Sequence, residues 1–441
     1  MTDSWWTSTE RVAVPAGRTA KGAARLPPSK SLTHRAFAMA LVAKGPIAVE
    51  RPLESDDTRL FLAALEAMGC AVERGEGRVR IARPERFAAG ARLACGNAGT
   101  VFRLLVALAA TVPGEWEIDG SERLRERPIG PLAEALVALG AQLEFRGAKG
   151  CAPLVVRGGR LAGGRVRLDA GESSQYLSAL LFAGQRAAGP IEIEVAKLSS
   201  APYVRLTTDV LGRYGGRVQH PLPDLWITKP AEPRGATIPV EADWSAAAYP
   251  AAAAALTGGD ILLEGAPWRT EQGDRRFLDL LRAMGAEVVS EGSGVRVRGT
   301  GPLVAIHADM SDLPDQVPTL AALAPFARGT TVIENVPHLR IKESDRLAAM
   351  AAELARAGAA VTELPDGLVI PGVWAEVPPP ATPVEIDPHD DHRIAMAMAL
   401  VALRRPNLAI RDPGCVAKSW PAFWTELARW LGEPLAAGSP P

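Results

Sequence analysis

The segment that decides the fold is residues 339–358, which read LRIKESDRLAAMAAELARAG. Its first eight residues carry three cations and two carboxylates and lead directly into an apolar helix. A helix that begins near Ser344 would present backbone N–H groups and a partial positive charge beside Lys342 and Arg346, which suits an anion. An isolated run of this kind is also typical of a solvated helix start with surface ion pairs. The rest of the chain decides between these interpretations.

The end of this segment belongs to an internal repeat. A helix-like stretch ending L-x-x-ϕ-G, followed by a small residue and a strand-like run, recurs every 70 to 75 residues or so. It occurs at residues 65–69, 136–140, 211–215, 281–285 and 354–358, with a weaker sixth copy at 427–432. Each terminal glycine is suited to a left-handed helix cap, after which a strand begins.

A second series of segments keeps the same period. Polar turns open Ala-rich, almost wholly apolar helices at residues 29–43, 97–110, 173–183, 243–256, 312–327 and 390–403. A helix that is apolar on every side must be buried, so these segments predict the cores of six α/β units. We expect two similar domains of three units each, formed by residues 28–242 and by residues 1–27 with 243–441. The alternative is that a common helix-cap-strand pattern recurs by chance.

Composition limits the possible functions. The chain has 441 residues, of which 47% are hydrophobic and 22% charged, and its formal net charge is −1. No global field therefore favours nucleic acid or an anionic membrane surface, and any anion must be bound by local clusters. The four cysteines lie far apart, and neither a signal peptide nor a membrane span is recognisable. We expect a cytoplasmic protein with small-molecule substrates.

The starts of the apolar helices carry the candidate functional residues. In the first, Lys30 and Arg35 flank a Ser-rich turn, where hydroxyls, N–H groups and cations converge, although Ser is also an ordinary cap. The second follows the glycine-containing stretch GNAGT at residues 96–100, which lets the backbone approach a ligand closely. Neither a Walker loop nor a dinucleotide fingerprint is present, so no nucleotide site is predicted.

The other starts are individually ambiguous. The alternating charges of residues 121–127 are typical of a solvated surface, and the carboxylates at residues 312, 315 and 390 are typical of helix caps. His392 and Arg393 have no evident packing reason for their position. Lys418 is a late cation on a loop.

Taken together, these motifs identify a family. PSKSxxxR, GNAGTxxR, ERPI, SSQY, LPDQ, RxKESDR, DHR and CxAKS resemble those of the 5-enolpyruvylshikimate-3-phosphate synthases, in the same order and over nearly the whole chain. The resemblance implies two domains, each with three repeats around buried parallel helices in an inside-out α/β barrel, and ligands in the cleft between them. It implies a cytoplasmic monomer of the shikimate pathway, a target of glyphosate, without metal or organic cofactor.

The resemblance also implies the reaction and the residues that serve it. Phosphoenolpyruvate would transfer its enolpyruvyl group to the 5-hydroxyl of shikimate 3-phosphate by addition and elimination through a tetrahedral intermediate, releasing phosphate. The residues expected to contact shikimate 3-phosphate are Lys30, Ser31, Arg35, Ser173, Ser174, Gln175, Ser200, Tyr203, Asp315 and Lys342. Those expected to contact phosphoenolpyruvate are Lys30, Asn97, Gly99, Arg127, Gln175, Arg346, Arg393 and Lys418. The first domain would hold shikimate 3-phosphate, and the second would supply phosphoenolpyruvate contacts and the catalytic carboxylates.

The chemistry needs an acid and a base facing one small volume, because the hydroxyl loses a proton as C3 of phosphoenolpyruvate gains one. We assign the base to Asp315 and the protonation of C3 to Glu343, with Lys30 assisting phosphate departure; the two carboxylates could exchange roles. The arginines suit phosphate and carboxylate oxyanions. Because the residues come from both halves of the chain, we expect a cleft that closes over its ligands.

The sequence differs from the family pattern at two positions that affect the residue roles implied by the resemblance. Leu104 stands where many members have Pro, and His338 replaces an Asn found in well-known members. Gly99 is the small residue that leaves room for glyphosate in sensitive members, and Leu104 adjoins it, so the response to glyphosate stays open.

Three other functions fit the sequence less well. A UDP-N-acetylglucosamine enolpyruvyl transferase would normally carry a reactive Cys on the loop at residues 121–127, which has none. An RNA-processing relative conflicts with the neutral charge. An anion-binding scaffold without catalysis would not explain the presence of Asp315, Glu343 and Lys30.

Overall fold

The computed structural model describes residues 9–374 and 376–438. The chain divides into two compact units, one spanning Pro28–Val240 and the other combining the described residues up to Pro27 with those from Glu241 onward. The sequence pattern placed the second boundary after residue 242, whereas Glu241 and Ala242 belong to the second unit in the structure. Each unit has its own hydrophobic core.

The six predicted apolar helices are present and buried. In Pro28–Val240 they are α1 (Lys30–Val42), α3 (Gly99–Ala109) and α6 (Gln175–Gly184). In the other unit they are α8 (Trp244–Thr257), α10 (Val317–Leu323) and α12 (His392–Ala402). Within each unit the three helices contact one another. Nearly every position around each helix lies inside the core. The small Ala side chains allow the helix axes to approach each other closely.

The fifth apolar segment is less regular than the sequence predicted. Instead of one helix over residues 312–327, the structure has a 3₁₀ turn at Pro314–Gln316, helix α10 and a second 3₁₀ turn at Ala324–Phe326. Proline lacks the N–H that an internal helical hydrogen bond requires, so Pro325 ends the regular α-helix early.

The other helices include the predicted outer ones. They are α2 (Asp56–Ala67), α4 (Glu122–Glu126), α5 (Gly130–Ala138), α7 (Ala201–Arg213), α9 (Phe277–Ala283), α11 (Arg346–Arg356) and α13 (Phe423–Leu431). The six repeat glycines that follow the outer helices all have φ between +70° and +104°. This left-handed conformation is the one predicted for a glycine cap, and a Cβ would strain it.

In the part of the chain that the structure describes, the strands form six four-stranded sheets, three in each unit. The sheets of Pro28–Val240 are built from β3 (Ile47–Glu50), β4 (Ala71–Gly75), β5 (Arg78–Ala82) and β14 (Ala236–Pro239); from β6 (Gly90–Ala94), β7 (Gly114–Asp119), β8 (Gln142–Phe145) and β9 (Leu154–Gly158); and from β10 (Gly164–Ala170), β11 (Ile191–Leu198), β12 (Arg217–Leu222) and β13 (Leu225–Lys229).

The sheets of the other unit have the same size. They are built from β2 (Lys21–Arg25), β15 (Asp260–Glu264), β16 (Glu287–Glu291) and β17 (Gly294–Arg298); from β18 (His307–Asp309), β19 (Thr330–Glu334), β20 (Thr362–Leu364) and β21 (Gly367–Pro371); and from β1 (Arg11–Ala13), β22 (Val384–Ile386), β23 (Leu408–Arg411) and β24 (Ala436–Ala437).

All six sheets share one pattern of strand directions. Each has one parallel pair of strands, to which two further strands add in antiparallel fashion. In four sheets a buried helix connects the parallel pair directly, as α3 connects β6 to β7. In the other two the strands are exchanged: β14 pairs with β3, and β2 pairs with β15. The chain therefore passes between units just before α1 and just before α8.

Candidate active site

A cluster of carboxylates around Arg346 lies in the unit that contains residues from Glu241 onward. Arg346 is 1% exposed and contacts three carboxylates: Nη1 lies 2.9 Å from Asp315 Oδ1, Nη2 2.9 Å from Glu343 Oε2, and Nε 2.7 Å from Asp391 Oδ2. Arg393 Nη2 lies 2.7 Å from the other oxygen of Asp315. We call these five residues the Arg346 cluster. It brings together Asp315, Glu343, Arg346 and Arg393, which the sequence proposed as site residues.

Helix starts position this cluster, as the sequence suggested, although two of these starts differ from expectation. Helix α11 begins at Arg346, and its cap is Asp345, whose carboxylate accepts a hydrogen bond from Ala348 N–H at 3.0 Å. The start expected near Ser344 therefore lies slightly later in the chain. Ser344 instead donates its hydroxyl to Asp391 Oδ2 at 3.1 Å.

The sixth buried helix is capped by Asp391, whose carboxylate accepts from Arg393 N–H at 3.0 Å, so the suggestion that Asp390 is the cap was wrong. Asp315 is not explained by capping, the default interpretation of a carboxylate at a helix start, since its carboxylate faces the two arginines. Asp391 both caps α12 and anchors Arg346. Sequence reasoning missed this second role because a cap explains an Asp at a helix start.

Burial and charge act in opposite directions on Asp315. Burial alone would raise the pKa of this carboxyl, but Arg393, Arg346 and Lys342 hold the pKa well below its usual range. Burial would likewise lower the pKa of Arg346, but Asp391, Glu343 and Asp315 keep it raised. Asp315 and Arg346 are therefore both charged near neutral pH.

Two further cations and a histidine adjoin the cluster. Lys418 Nζ lies 3.8 Å from Glu343 Oε1, and Lys342 acts electrostatically on Asp315. His338 has its pKa lowered to about 3 by burial and by Lys342, so its imidazole is neutral at pH 7. A neutral imidazole offers one hydrogen-bond donor and one acceptor, so it can replace one N–H and the carbonyl oxygen of an Asn amide but not the second N–H.

The unit Pro28–Val240 holds the other predicted site residues at the starts of its buried helices. Ser29 caps α1, so Lys30 and Ser31 form the first turn of the helix. Lys30 Nζ lies 3.4 Å from Asp57 Oδ2, and this carboxylate is 5% exposed. Asp57 was not predicted, because in the sequence it is an ordinary acidic residue in the first turn of α2.

The glycine-containing turn before α3 meets two arginines. Arg127 Nη1 donates to the backbone oxygen of Asn97 at 3.1 Å, and Arg103 Nη1 donates to Gly99 O at 3.1 Å and to Gln175 Oε1 at 3.2 Å. A Cβ on Gly99 would lie 2.4 Å from Arg127 Nη2 and 2.5 Å from Arg103 Nη1. This turn thus brings together Asn97, Gly99, Arg127 and Gln175, which the sequence proposed as phosphoenolpyruvate contacts, and adds Arg103.

The three arginines of the basic loop at residues 121–127 lie in different environments. Arg123 pairs with Glu126, and Arg125 with Asp119, as expected for a charged surface. Only Arg127 turns inward, where it is 3% exposed.

The remaining predicted residues lie around α6 and α7. Ser173 and Ser174 are buried at the start of α6, and Ser200 precedes α7 with φ of +54°. Arg35 donates to Ser31 O, Tyr203 O and Thr207 Oγ1 at 2.6 to 2.8 Å, and burial lowers its pKa to about 10. Arg35 therefore joins α1 to α7 in addition to any contact with a ligand.

The described ranges contain no group of three or more His, Cys, Asp or Glu side chains that could hold a metal ion. No helix in them is long and apolar enough to cross a membrane.

The family model for EPSP synthase (3-phosphoshikimate 1-carboxyvinyltransferase) matches residues 14–427. The chain belongs to the EPSP synthase family. It is 44% identical over 410 residues to the 3-phosphoshikimate 1-carboxyvinyltransferase of Syntrophobacter fumaroxidans, covering 90% of this chain and 94% of that protein. It is 42% identical over 406 residues to the enzyme of the same name from Methanoculleus marisnigri, covering 91% and 94%.

Solved structures agree with the family at the level of the fold. EPSP synthase from Acinetobacter baumannii superposes with a TM-score of 0.77 at 28% identity, covering 97% of this chain and 99% of that one. The enolpyruvyl transferase NikO from Streptomyces tendae has a TM-score of 0.75 at 19% identity, covering 98% and 99%, which shows a shared fold.

Membership of the EPSP synthase family confirms the activity inferred from the motifs. The chain is a 3-phosphoshikimate 1-carboxyvinyltransferase of the shikimate pathway and uses phosphoenolpyruvate. The mixed α/β fold with six four-stranded sheets is that of the enolpyruvyl transferases.

Proposed function

We propose that the two groups of polar residues, one in each unit, together bind the substrates of EPSP synthase in a cleft between two inside-out α/β barrels. The Arg346 cluster carries this proposal, because it holds two buried arginines over candidate catalytic carboxylates. The first unit would hold shikimate 3-phosphate through Lys30, Ser31, Arg35, Ser173, Ser174, Gln175, Ser200 and Tyr203. Asp315 and Lys342 would complete that site from the second unit.

Phosphoenolpyruvate would lie against Lys30, Asn97, Gly99, Arg127, Gln175, Arg346, Arg393 and Lys418. The guanidinium groups of Arg346 and Arg393 already pair with one anion, the carboxylate of Asp315. We infer that an oxyanion of the substrate takes over some of these guanidinium contacts. The exchange would raise the pKa of Asp315 from its depressed value and make it a better base at the moment the substrate binds.

The proposed reaction is an addition followed by an elimination. The 5-hydroxyl of shikimate 3-phosphate gives its proton to Asp315 while its oxygen bonds to C2 of phosphoenolpyruvate, and Glu343 delivers a proton to C3. In the elimination Glu343 removes a proton from C3, the double bond reforms, and the C2–O bond to phosphate breaks. Lys30 and the arginines stabilise the departing phosphate, and Asp315 gives the hydroxyl proton to this phosphate or to solvent, so that both carboxyl groups return to their starting states. Lys418 lies near Glu343 and would help to keep its carboxylate oriented.

UDP-N-acetylglucosamine enolpyruvyl transfer is the alternative reaction. The segment that would carry a reactive Cys is α4 with its cap Ser121, and it contains Glu, Arg and Leu instead. This composition supports the shikimate acceptor. We further propose a cytoplasmic monomer; the four free cysteines are compatible with a reducing compartment.

The deciding experiment measures phosphate release from phosphoenolpyruvate with shikimate 3-phosphate or UDP-N-acetylglucosamine as acceptor. Wild type is expected to turn over only with shikimate 3-phosphate. Glu343→Gln is expected to lower kcat by roughly 10² to 10⁴, the range for loss of a general acid–base group, while retaining shikimate 3-phosphate binding. Full activity of the Glu343→Gln variant would contradict the catalytic role proposed for Glu343. Turnover with UDP-N-acetylglucosamine would contradict the proposed acceptor.

A further inference from the structure

The unit Pro28–Val240 contains a basic cavity apart from the residues proposed to bind substrates. Its volume is about 640 Å³, and its charged lining consists of Lys44, Arg83, Arg160, Arg186, Arg217 and one carboxylate, Glu232. Five cations against one carboxylate is a marked local excess in a chain whose formal net charge is −1. We call this feature the basic cavity.

The basic cavity lies at the far ends of the buried helices from the candidate site. Val42, the last residue of α1, and Gln185, which follows α6, both line it. Lys30 and Gln175, which begin these two helices, belong to the substrate-binding group. Because α1 has 13 residues, its two ends are separated by roughly 20 Å.

The arginines of the basic cavity lack the partners that the arginines of the active site have. Among the residues that the structure describes, no carboxylate lies within 4.0 Å of Arg83, Arg160, Arg186 or Arg217 in an ion pair; Glu232 pairs with Lys44 at 3.1 Å. Arg346, by contrast, has three carboxylates.

The two inner arginines are also close to each other. Arg83 Nη1 and Arg186 Nη1 both donate to Leu41 O, at 3.4 and 3.1 Å. Arg186 Nε is buried without a hydrogen-bond partner in the described part of the chain. Burial and then the neighbouring Arg83 lower the pKa of Arg186 to about 10.

A purely structural role explains only part of this arrangement. Cations near the C-terminus of α1 offset its partial negative charge, and the two bonds to Leu41 O serve that purpose. They do not require Arg160 and Arg217, which are exposed and, among the described residues, form no side-chain hydrogen bond to Leu41. Nor do they require the concave space between the cations.

We propose that the basic cavity binds a small polyanion that carries phosphoryl groups. Guanidinium groups form paired hydrogen bonds with phosphoryl oxygens, and several cations around one space favour more than one phosphoryl group. The volume exceeds that of inorganic phosphate and admits a diphosphate with an organic group attached. Pro230 and Ala231, which are partly exposed, also line the cavity and give such a group an apolar surface.

The test is calorimetric titration of the full-length protein with inorganic pyrophosphate, and in a second series with ADP. The cavity variant is Arg160→Gln with Arg217→Gln, since both side chains are exposed and their replacement spares the core. The matched control is Arg78→Gln with Arg167→Gln, which removes two exposed arginines of the same unit outside the cavity lining. Thermal unfolding of all three proteins establishes that the variants are folded.

Wild type and control are expected to bind pyrophosphate equally, whereas the cavity variant loses one binding event or weakens it at least about tenfold. Any pyrophosphate bound by the active site stays the same in all three proteins. Tighter binding of ADP than of pyrophosphate would identify a nucleotide-like ligand, and equal binding a phosphoryl group alone; both support the proposal. Superimposable titrations of the cavity variant and the control, or no binding by wild type, would overturn it.

Discussion

At the scale of single residues, Asp315 illustrates how charge outweighs burial. Its pKa is depressed in the folded protein, so its ion pairs contribute stability that is fully present above the unfolded-state value of about 4 and is lost as pH falls through the folded-state pKa. The contribution is moderated because the Asp315 side chain keeps 24% of its exposure and because Arg346 retains two other carboxylates.

Replacing Asp315 by Asn should therefore destabilise the protein in a pH-dependent way. We expect Asp315→Asn to lower the free energy of unfolding by about 1–3 kcal/mol between pH 5 and 8, and the difference from wild type to shrink below pH 4. Denaturant unfolding at a series of pH values measures this. Asp224→Asn, at an exposed turn, is the control and should show no such trend. A difference that persists unchanged at low pH would show that the ion pairs of Asp315 are not its cause.

Gly99 has no space for a side chain beside the two arginines that meet it. Because a Cβ there would lie 2.4 Å from Arg127 Nη2, Gly99→Ala must displace this guanidinium. We expect KM for phosphoenolpyruvate to rise roughly tenfold or more, which corresponds to about 1.4 kcal/mol, while KM for shikimate 3-phosphate changes little. Steady-state kinetics with each substrate varied in turn measures both constants.

Gly212→Ala is the matched control for Gly99→Ala. Gly212 also lies in a helix, α7, and an added Cβ there meets no atom within 4 Å. This variant should keep wild-type kinetics and gain a little helix stability. Equal effects on both KM values in Gly99→Ala would contradict a specific disturbance of Arg127.

At the scale of secondary-structure elements, Arg405 joins segments that are distant in the sequence. It follows α12, is 3% exposed, and donates to three backbone oxygens, those of Ala357, Val377 and Pro378, at 2.6 to 3.0 Å. Its guanidinium also lies over the ring of Trp374, 5.0 Å from the centroid. One side chain thus satisfies the C-terminal end of α11 and fixes the following loop.

Removing this side chain should be costly for stability and neutral for chemistry. We expect Arg405→Ala to lower the free energy of unfolding by roughly 3 kcal/mol, because buried carbonyls lose charged donors, with kcat within about twofold of wild type at a temperature where the variant is folded. Arg404→Ala, which removes a single bond to Leu256 O, is the control and should cost less. Similar losses in the two variants would argue against the three-bond anchor.

The elements also show what could be predicted from the sequence. The six apolar helices and the glycine caps were predictable, because an all-apolar surface has to be buried and an L-x-x-ϕ-G ending favours a left-handed cap. The break at Pro325 was also implicit in the residues but was outweighed by the apolar pattern. The double role of Asp391 and the contact between Lys30 and Asp57 could not be found, because they join residues whose distance in space the sequence pattern does not specify.

At the scale of the whole molecule, the exchange of strands places the two groups of proposed site residues in different units. The chain leaves one unit and enters the other immediately before a buried helix, so Lys30 and the Arg346 cluster belong to different units although each lies at a helix start. Both groups must reach the same pair of substrates if the proposed roles of Lys30 and Glu343 are right. Substrate binding should therefore bring the units into a closed arrangement that excludes water.

Solution scattering tests this closure. We expect the radius of gyration to fall when shikimate 3-phosphate is added to the Glu343→Gln variant together with phosphoenolpyruvate, since this variant is expected to bind both substrates and react slowly. Arg346→Ala in the same background is the comparison, because it removes the guanidinium proposed to bind phosphoenolpyruvate and should reduce the change. Identical scattering with and without both substrates would mean that the units do not close, and the proposed meeting of Lys30 with Glu343 would then need an arrangement that exists before the ligands bind.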